Sequence, residues 1–364
     1  MTKPRLFIFT GADQVTGALM SSFGHARAMR DAVDVSLILS TRTKLTAKQW
    51  PDYSIILLPL ARSGKALGSI LAYPAALLRS GWHLRQALRL AGCELLQIND
   101  FHFAEGAIVR LLGYRGRIVT WVQIDPKRYG FIGRIWLALA RWSSDEMVVV
   151  SKFIAGQLPR GYRSTLIYNA VPPVVEVPRS ASRQLLFVGN YIEGKGQDLA
   201  IRAFRLIAAR FPEAELIFHG SDMGLAKNRD YRDGLDRLAE DGAGKGRIHV
   251  RAFVEDSSAV YQQAFAALNF SHSESFSLTC LEASAHGLAV IATRCGGPEE
   301  IVEDGVTGFL VPVGDVAAMA ARIADLLSDP SRAAAMGEAG RRLVNERFST
   351  ANLRRQLLEI FDLN

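Results

Sequence analysis

Cysteine is scarce in this chain: of 364 residues only Cys93, Cys280 and Cys295 carry a thiol. They show neither metal-ligand spacing nor a disulfide framework, which points to a reducing, cytoplasmic compartment. Cys280 reads as a small buried thiol rather than a nucleophile. Long apolar runs are missing too. The charge-free stretch Ala66–Leu78 has 13 residues, includes Pro74 and lies between Lys65 and Arg79, short of the roughly 20 that span a bilayer. No signal-peptide pattern opens the chain, because Lys3 and Arg5 lead into a short strand and not an extended apolar segment. No Asp-x-Asp occurs, so no metal site is expected. The dinucleotide fingerprint Gly-x-Gly-x-x-Gly is absent from the turn after the first strand, which runs from Gly11 to Gly17.

What is present is a folded, globular composition, 49% hydrophobic and 22% charged. The length is about twice that of a usual domain, so two domains are expected. The net charge of +7 is unevenly divided: residues 1–170 hold 22 Lys plus Arg against 10 Asp plus Glu, and the remainder holds 21 against 26. The first half is therefore the one expected to meet an anionic partner. Within it, apolar runs at Arg5–Thr10, Val35–Leu39, Ser54–Leu58, Leu95–Ile98, Ile118–Val122 and Met147–Val150 alternate with helical stretches. That pattern predicts an α/β fold with a parallel sheet and helices on both faces. Ligands bind such sheets at the carboxyl ends of the strands, which places Asn99, Asp100, His102, Gln123, Asp125, Ser151 and Lys152 at the rim. Asp125 reads equally well as a group that orients an incoming hydroxyl and as a turn or helix cap. His102 reads as a second polar candidate, or as a simply hydrogen-bonded histidine.

The second half centres on residues 272–287. Ala266–Ser271 reads as a short buried strand. Ser277 can cap a helix over Leu278–His286, with Gly287 as its left-handed stop. Leu278, Leu281 and Ala285 share the buried face of that helix. Glu274 and Glu282 bracket its first turn with seven residues between them. Free first-turn amides favour an anion, so two flanking carboxylates suit a ligand anionic in the middle and hydroxyl-rich at both ends. A nucleotide diphosphate sugar has that layout; two solvated glutamates on a surface helix are the plain alternative. Upstream, the strand Gln184–Val188 runs into Gly189-Asn190-Tyr191-Ile192-Glu193-Gly194-Lys195-Gly196. This nearly spells the phosphate-binding G-x4-G-K-S/T, with Gly196 where a magnesium-binding hydroxyl would stand. A phosphotransferase is therefore one reading of the loop.

Residues 266–312 resemble the retaining glycosyltransferases of family 4. The resemblance rests on the ordered set of the Glu274/Glu282 pair, the small-residue helix ending at Gly287, the Gly296-Gly297 turn and the run Gly305–Leu310. It extends to Gly189, Lys195-Gly196 and the join Asn169-Ala170-Val171. It implies a GT-B fold, two Rossmann-like domains facing each other across a cleft. The division would be an acceptor-binding domain over 1–175, rejoined by a C-terminal helix over 350–364, and a nucleotide-sugar-binding domain over 180–349. The implied activity is metal-independent transfer of a sugar, with retained configuration, from a nucleotide diphosphate sugar to a glycan or lipid-linked acceptor. The nucleotide sugar is a co-substrate and no cofactor is implied. The implied catalytic residues are Glu274 and Lys195, with Asp125 on the acceptor side. The donor would meet Gly189, Asn190, Lys195, Gly220, Val254, Glu274, Ser275, Phe276, Ser277, Leu278, Thr279 and Glu282. The acceptor side would comprise Gly17, Asp100, His102 and Gln123. The chain departs from the family pattern at Asn190, where an arginine is usual, at Gln123, where a histidine is usual, and at Phe253, where a glycine is usual.

Two stretches mix basic with aromatic and aliphatic residues: Lys65–Arg89, with Leu71, Leu78 and Trp82, and Lys127–Arg141, with Phe131, Ile132, Ile135 and Trp136. Such faces lie in anionic lipid interfaces or pack as ordinary amphipathic helices. A peripheral site on the inner face of the cell membrane is the expectation that follows, with no nucleic-acid partner. Two further alternatives stay open: a nucleotide-sugar epimerase on the same fold, and a non-catalytic anion-binding protein.

Overall fold

The computed structural model describes residues 3–11, 16–43, 53–61, 67–175 and 182–363. The interior of the 11–17 loop, Lys65, and residues 176–181 of the expected linker lie outside the described residues. The chain divides into two units, residues 1–170 with 350–364, and residues 171–349.

The first unit runs β1 (Arg5–Phe9), α1 (Gly17–Met29), β2 (Asp34–Ser40), β3 (Ser54–Leu58), α2 (Leu67–Ala91), β4 (Leu95–Ile98), α3 (Glu105–Leu111), β5 (Arg117–Val122), α4 (Gly130–Ser143), β6 (Glu146–Val149), α5 (Lys152–Ala155) and β7 (Thr165–Leu166). The strands form one parallel sheet in the order β3-β2-β1-β4-β5-β6-β7. Helices cover both faces, so the central strands read as nearly continuous apolar runs. Phe7, Phe9, Leu96, Ile98, Val109 and Ile118 are among the side chains of the core on one side.

The second unit runs β8 (Gln184–Val188), α6 (Gln197–Ile207), β9 (Glu215–Gly220), α7 (Ala226–Ala239), β10 (Ile248–Ala252), α8 (Ser258–Gln263), β11 (Ala266–Asn269), α9 (Leu278–Ala285), β12 (Ala289–Thr293), β13 (Gly308–Val311), α10 (Val316–Ser328) and α11 (Pro330–Arg347). Its parallel sheet has the order β10-β9-β8-β11-β12-β13. Phe187, Phe204, Phe218, Leu268, Phe270 and Ile291 are buried in its core. The last helix, α12 (Thr350–Ile360), returns to the first unit. There Arg117 donates to the Ile360 carbonyl at 2.7 Å and Phe361 stacks 6.3 Å from Trp121.

Each sheet reverses its winding once, between β1 and β4 in the first unit and between β8 and β11 in the second. The loops that leave the carboxyl ends of two such strands diverge to opposite faces and open a crevice between them. Most of the predicted site residues of the second unit cluster on the loops after β8 and β11, with Gly220 at the end of β9 and Val254 just after β10; those of the first lie on the loops after β4 and β5, with Gly17 at the start of α1.

Candidate active site

In the second unit, the loop after β8 is shaped by what has no side chain. Gly220, at the end of β9, lies so close to Gly189 that a Cβ there would overlap the Gly189 carbonyl oxygen. Gln197, fully buried at the start of α6, donates to the carbonyls of Gly189 (3.4 Å) and Asn190 (3.1 Å). Gly194 and Gly196 have φ of 89° and 84°, values that favour glycine. At Gly196 a Cβ would also overlap the Phe270 carbonyl. No serine or threonine fits there, so the magnesium-binding hydroxyl of the phosphotransferase reading has no place in this loop.

Lys195 is thereby aimed at the loop after β11, where its Nζ meets Glu274 Oε1 at 2.6 Å. The Ser271 hydroxyl donates to the same oxygen at 2.7 Å. Glu274 is held from behind: its N–H donates to the Cys295 carbonyl (3.1 Å), and its own carbonyl accepts from Gly297 N–H (2.8 Å). That pairing needs Gly297, where any Cβ would meet the Phe276 backbone. Phe276 itself is buried against Phe348, with ring centroids 5.8 Å apart.

Ser277 caps α9, accepting from Cys280 N–H at 3.4 Å, and does so at a left-handed φ of 83°. A non-glycine residue held there stores roughly 1 kcal/mol or more of strain. Asn269 at the end of β11 steadies the arrangement, donating to the hydroxyls of Ser277 (3.0 Å) and Thr279 (3.2 Å). The cap uses the Cys280 amide, while helix geometry leaves the N–H groups of Leu278 and Thr279 without intrahelical acceptors. Leu281 and Ala285 are buried as expected and Gly287 is left-handed at φ 72°; Leu278, in the first turn, is only half-buried.

Glu282, one turn into α9, is half-buried and accepts from the Tyr261 hydroxyl at 3.1 Å. Burial pushes its carboxyl above the ordinary range, and burial also raises the Tyr261 phenol. Tyr261, stacked 4.9 Å from His286, was not legible as a site residue, because only the fold brings α8 beside α9. Ser275 and Val254 are half-buried in the loops after β11 and β10, and the preceding Phe253 is exposed.

In the first unit, Gln123 is tied sideways, its Nε2 donating to Asn99 Oδ1 at 2.7 Å. Asn99 in turn accepts from Gln97 (3.3 Å), whose amide meets His25 Nδ1 at 2.8 Å. Burial holds His25 down to about 4. This buried network was missed in the sequence, where its members are scattered over α1, β4 and β5. Asp125 accepts from Lys127 N–H at 2.9 Å and caps the short 3-10 helix Pro126–Tyr129. Gly17 is exposed at the start of α1, behind the Thr16 cap.

Asp100 is almost wholly buried; its Oδ1 accepts from the N–H groups of Phe101 (2.8 Å) and Gln123 (3.3 Å). Desolvation pushes its carboxyl up to about 8 and pulls His102, beside it, down to about 4. Among the described residues, no group of three or more His, Cys, Asp or Glu is arranged to hold a metal ion.

The sequence that builds the loops after β8 and β11, one carrying a lysine and the other a carboxylate beside a helix tip, lies within a match to a known family. Residues 175–343 match the family described as glycosyl transferases group 1. The chain is also 30% identical over 267 residues to a GDP-mannose-dependent alpha-(1-6)-phosphatidylinositol monomannoside mannosyltransferase of Mycolicibacterium smegmatis, a match covering 65% of this chain and 67% of that protein. It belongs to the group 1 glycosyltransferases. A D-inositol 3-phosphate glycosyltransferase of Corynebacterium kroppenstedtii is 32% identical over 187 residues, 49% of this chain but only 40% of that relative's length. Among solved structures, Anabaena HepE in complex with UDP-glucose superposes with a TM-score of 0.83 at 18% identity, over 98% of this chain and 99% of that one. The two Rossmann-like units of this glycosyltransferase thus have the GT-B fold.

Proposed function

We propose that this glycosyltransferase moves a sugar from a nucleotide diphosphate sugar to a glycan or lipid-linked acceptor, with retained anomeric configuration, in the synthesis of a surface polysaccharide or glycolipid. The observation that carries this reading is the Lys195–Glu274 pair at the β8/β11 reversal point, beside the amide-rich tip of α9. The resting 2.6 Å ion pair keeps both side chains extended toward one spot. An arriving diphosphate takes Lys195 as its cation, and the α9 amides of Leu278 and Thr279 complete its binding. Glu274 is then free to accept hydrogen bonds from the sugar hydroxyls. Glu282 accepts from the ribose diol, its second oxygen held by Tyr261. Gly189, Asn190, Gly220, Val254, Ser275, Phe276 and Ser277 line the donor. Charge developing on the departing diphosphate meets a preorganised lysine and helix tip, which lowers the barrier without a metal ion. Asn190 supplies no charge, so Lys195 carries the electrostatic load of this loop. Gly17, Asp100, His102, Gln123 and Asp125 lie on the acceptor side.

The relatives' printed substrates set the probes: GDP-mannose and UDP-glucose as donors, D-inositol 3-phosphate and phosphatidylinositol in mixed micelles as acceptors. Uridine and guanosine diphosphates should raise the melting temperature of the wild type, with the effect lost in Lys195→Ala. Transfer should vanish in Glu274→Ala. Isomerised sugar formed from donor alone would replace this reading with the epimerase one.

A membrane surface fits the first unit. On α4, Phe131 (75% exposed), Ile132 and Ile135 stand beside Arg134, and α2 exposes Leu71 (73%), Leu78 and Trp82 beside Arg79 and Arg85. Among the described residues no helix is long and apolar enough to cross a membrane. Peripheral binding predicts co-sedimentation with anionic but not neutral vesicles, and equal binding to both defeats it.

A further inference from the structure

The loop after β4 carries a cluster of buried ionisable side chains that the donor mechanism does not use. Asp100 is 1% exposed, and its Oδ2 has no hydrogen-bond partner. His102 lies across from it, Nδ1 to Oδ2 at 3.7 Å, and that nitrogen is likewise buried and unpartnered. Buried polar atoms are seldom left so, and here two face each other. Two amides, those of Phe101 and Gln123, grip the carboxyl through Oδ1 and fix its direction. The imidazole is enclosed by Phe103 (centroids 4.2 Å apart), Tyr129 (6.0 Å, stacked) and Trp136 (6.0 Å). A quarter of the His102 side chain is exposed. Because Nδ1 is buried, Nε2 is the ring nitrogen left for a ligand.

A buried carboxyl behind one ring nitrogen, with the other turned outward, is the arrangement by which an aspartate sets a histidine's tautomer and orientation. We propose that Asp100 and His102 form such a dyad, in which Asp100 positions His102 and His102 Nε2 hydrogen-bonds the acceptor hydroxyl that receives the sugar. The proposal rests on the transferase reading above and assigns the acceptor contact within it. Asp125 caps the turn at Lys127 through Oδ1, and the acceptor contact falls to His102 instead. Tyr129 is the other titratable group facing the pair, its phenol raised by burial, with the Arg128 charge beyond it.

The test is steady-state kinetics on the full chain with the donors and acceptors named above. In His102→Ala, kcat/KM for the acceptor should fall by about tenfold or more while the donor KM stays within about twofold. His102→Gln should recover part of the loss, as should added imidazole with His102→Ala. Asp100→Asn should displace the pH dependence of acceptor kcat/KM. Unchanged acceptor kcat/KM in His102→Ala, a matching rise in donor KM, or a pH profile for Asp100→Asn that overlays the wild type each overturns the dyad. Wild-type protein that turns over neither donor excludes those two donors and leaves the dyad to be decided without turnover. In that event the His102 imidazole nitrogens, followed by NMR, still decide. Their response to Asp100→Asn and to D-inositol 3-phosphate or phosphatidylinositol micelles supports the dyad, and nitrogens unmoved by any of these overturn it.

Discussion

At Gly196 the backbone is left-handed and the Phe270 carbonyl occupies the space of a Cβ. Completing the apparent phosphate-binding motif with Gly196→Ser should therefore create no magnesium-dependent ATP turnover. It should instead lose more than about 2 kcal/mol of stability, read as an earlier denaturant midpoint. At Asp100 the prediction concerns pH. Its carboxyl rises from 3.8 in the unfolded chain to about 8 when folded, so the native state prefers to keep the proton. That contribution is complete below 3.8 and is lost as pH rises through about 8. His25 works oppositely: lowered from 6.5 to about 4, it contributes above 6.5 and loses that contribution as pH falls toward 4. Measurements between pH 6.5 and 9 therefore exclude His25, and comparison with Asp100→Asn separates Asp100 from the other carboxyls raised by burial, Glu105 and Glu282. Over that range the melting temperature of Asp100→Asn should climb relative to wild type, and a constant difference would contradict the assignment.

The helix α9 shows how an element is set by its cap and its neighbours. Ser277 supplies the cap at the expense of a left-handed backbone. Ser277→Ala should lose about 1 kcal/mol of capping and keep the backbone strain, whereas Ser277→Gly loses the cap but relieves the strain. Chemical denaturation should therefore place alanine below both wild type and glycine, and nucleotide diphosphate affinity should fall in both variants as the uncapped helix tip frays. The Glu274/Glu282 spacing and the stop at Gly287 were readable because each is a local pattern within one helix and its flanks. The half-buried state of Leu278 was not, since periodicity names a face but does not say how deep the first turn is set. Tyr261 and Gln197 went unread for a related reason: each acts on a residue from another element, and no spacing along the chain records that meeting.

On the scale of the whole molecule, α12 belongs by contact to the unit from which it is most distant in sequence. It buries Leu353, Leu357, Ile360 and Phe361, and its end is tied by Arg117 to both Ile360 and Asp362. Removing residues 350–364 should uncover the Trp121 side of the first sheet. The expected result is two melting transitions, the first unit unfolding early with a red shift of tryptophan emission and the second nearly unchanged; one unaltered transition would refute it. The alternation of strands and helices and the ordered run from Glu274 to Leu310 are both properties of the chain as written, and they were enough to determine a doubled parallel-sheet architecture and its family. What only the tertiary structure decided is which side chains share a space: Lys195 with Glu274, Tyr261 with Glu282, Asp100 with His102. Parallel strands bring together loops that lie dozens of residues apart, and a hydrogen bond depends on that distance in space, not on the distance along the chain.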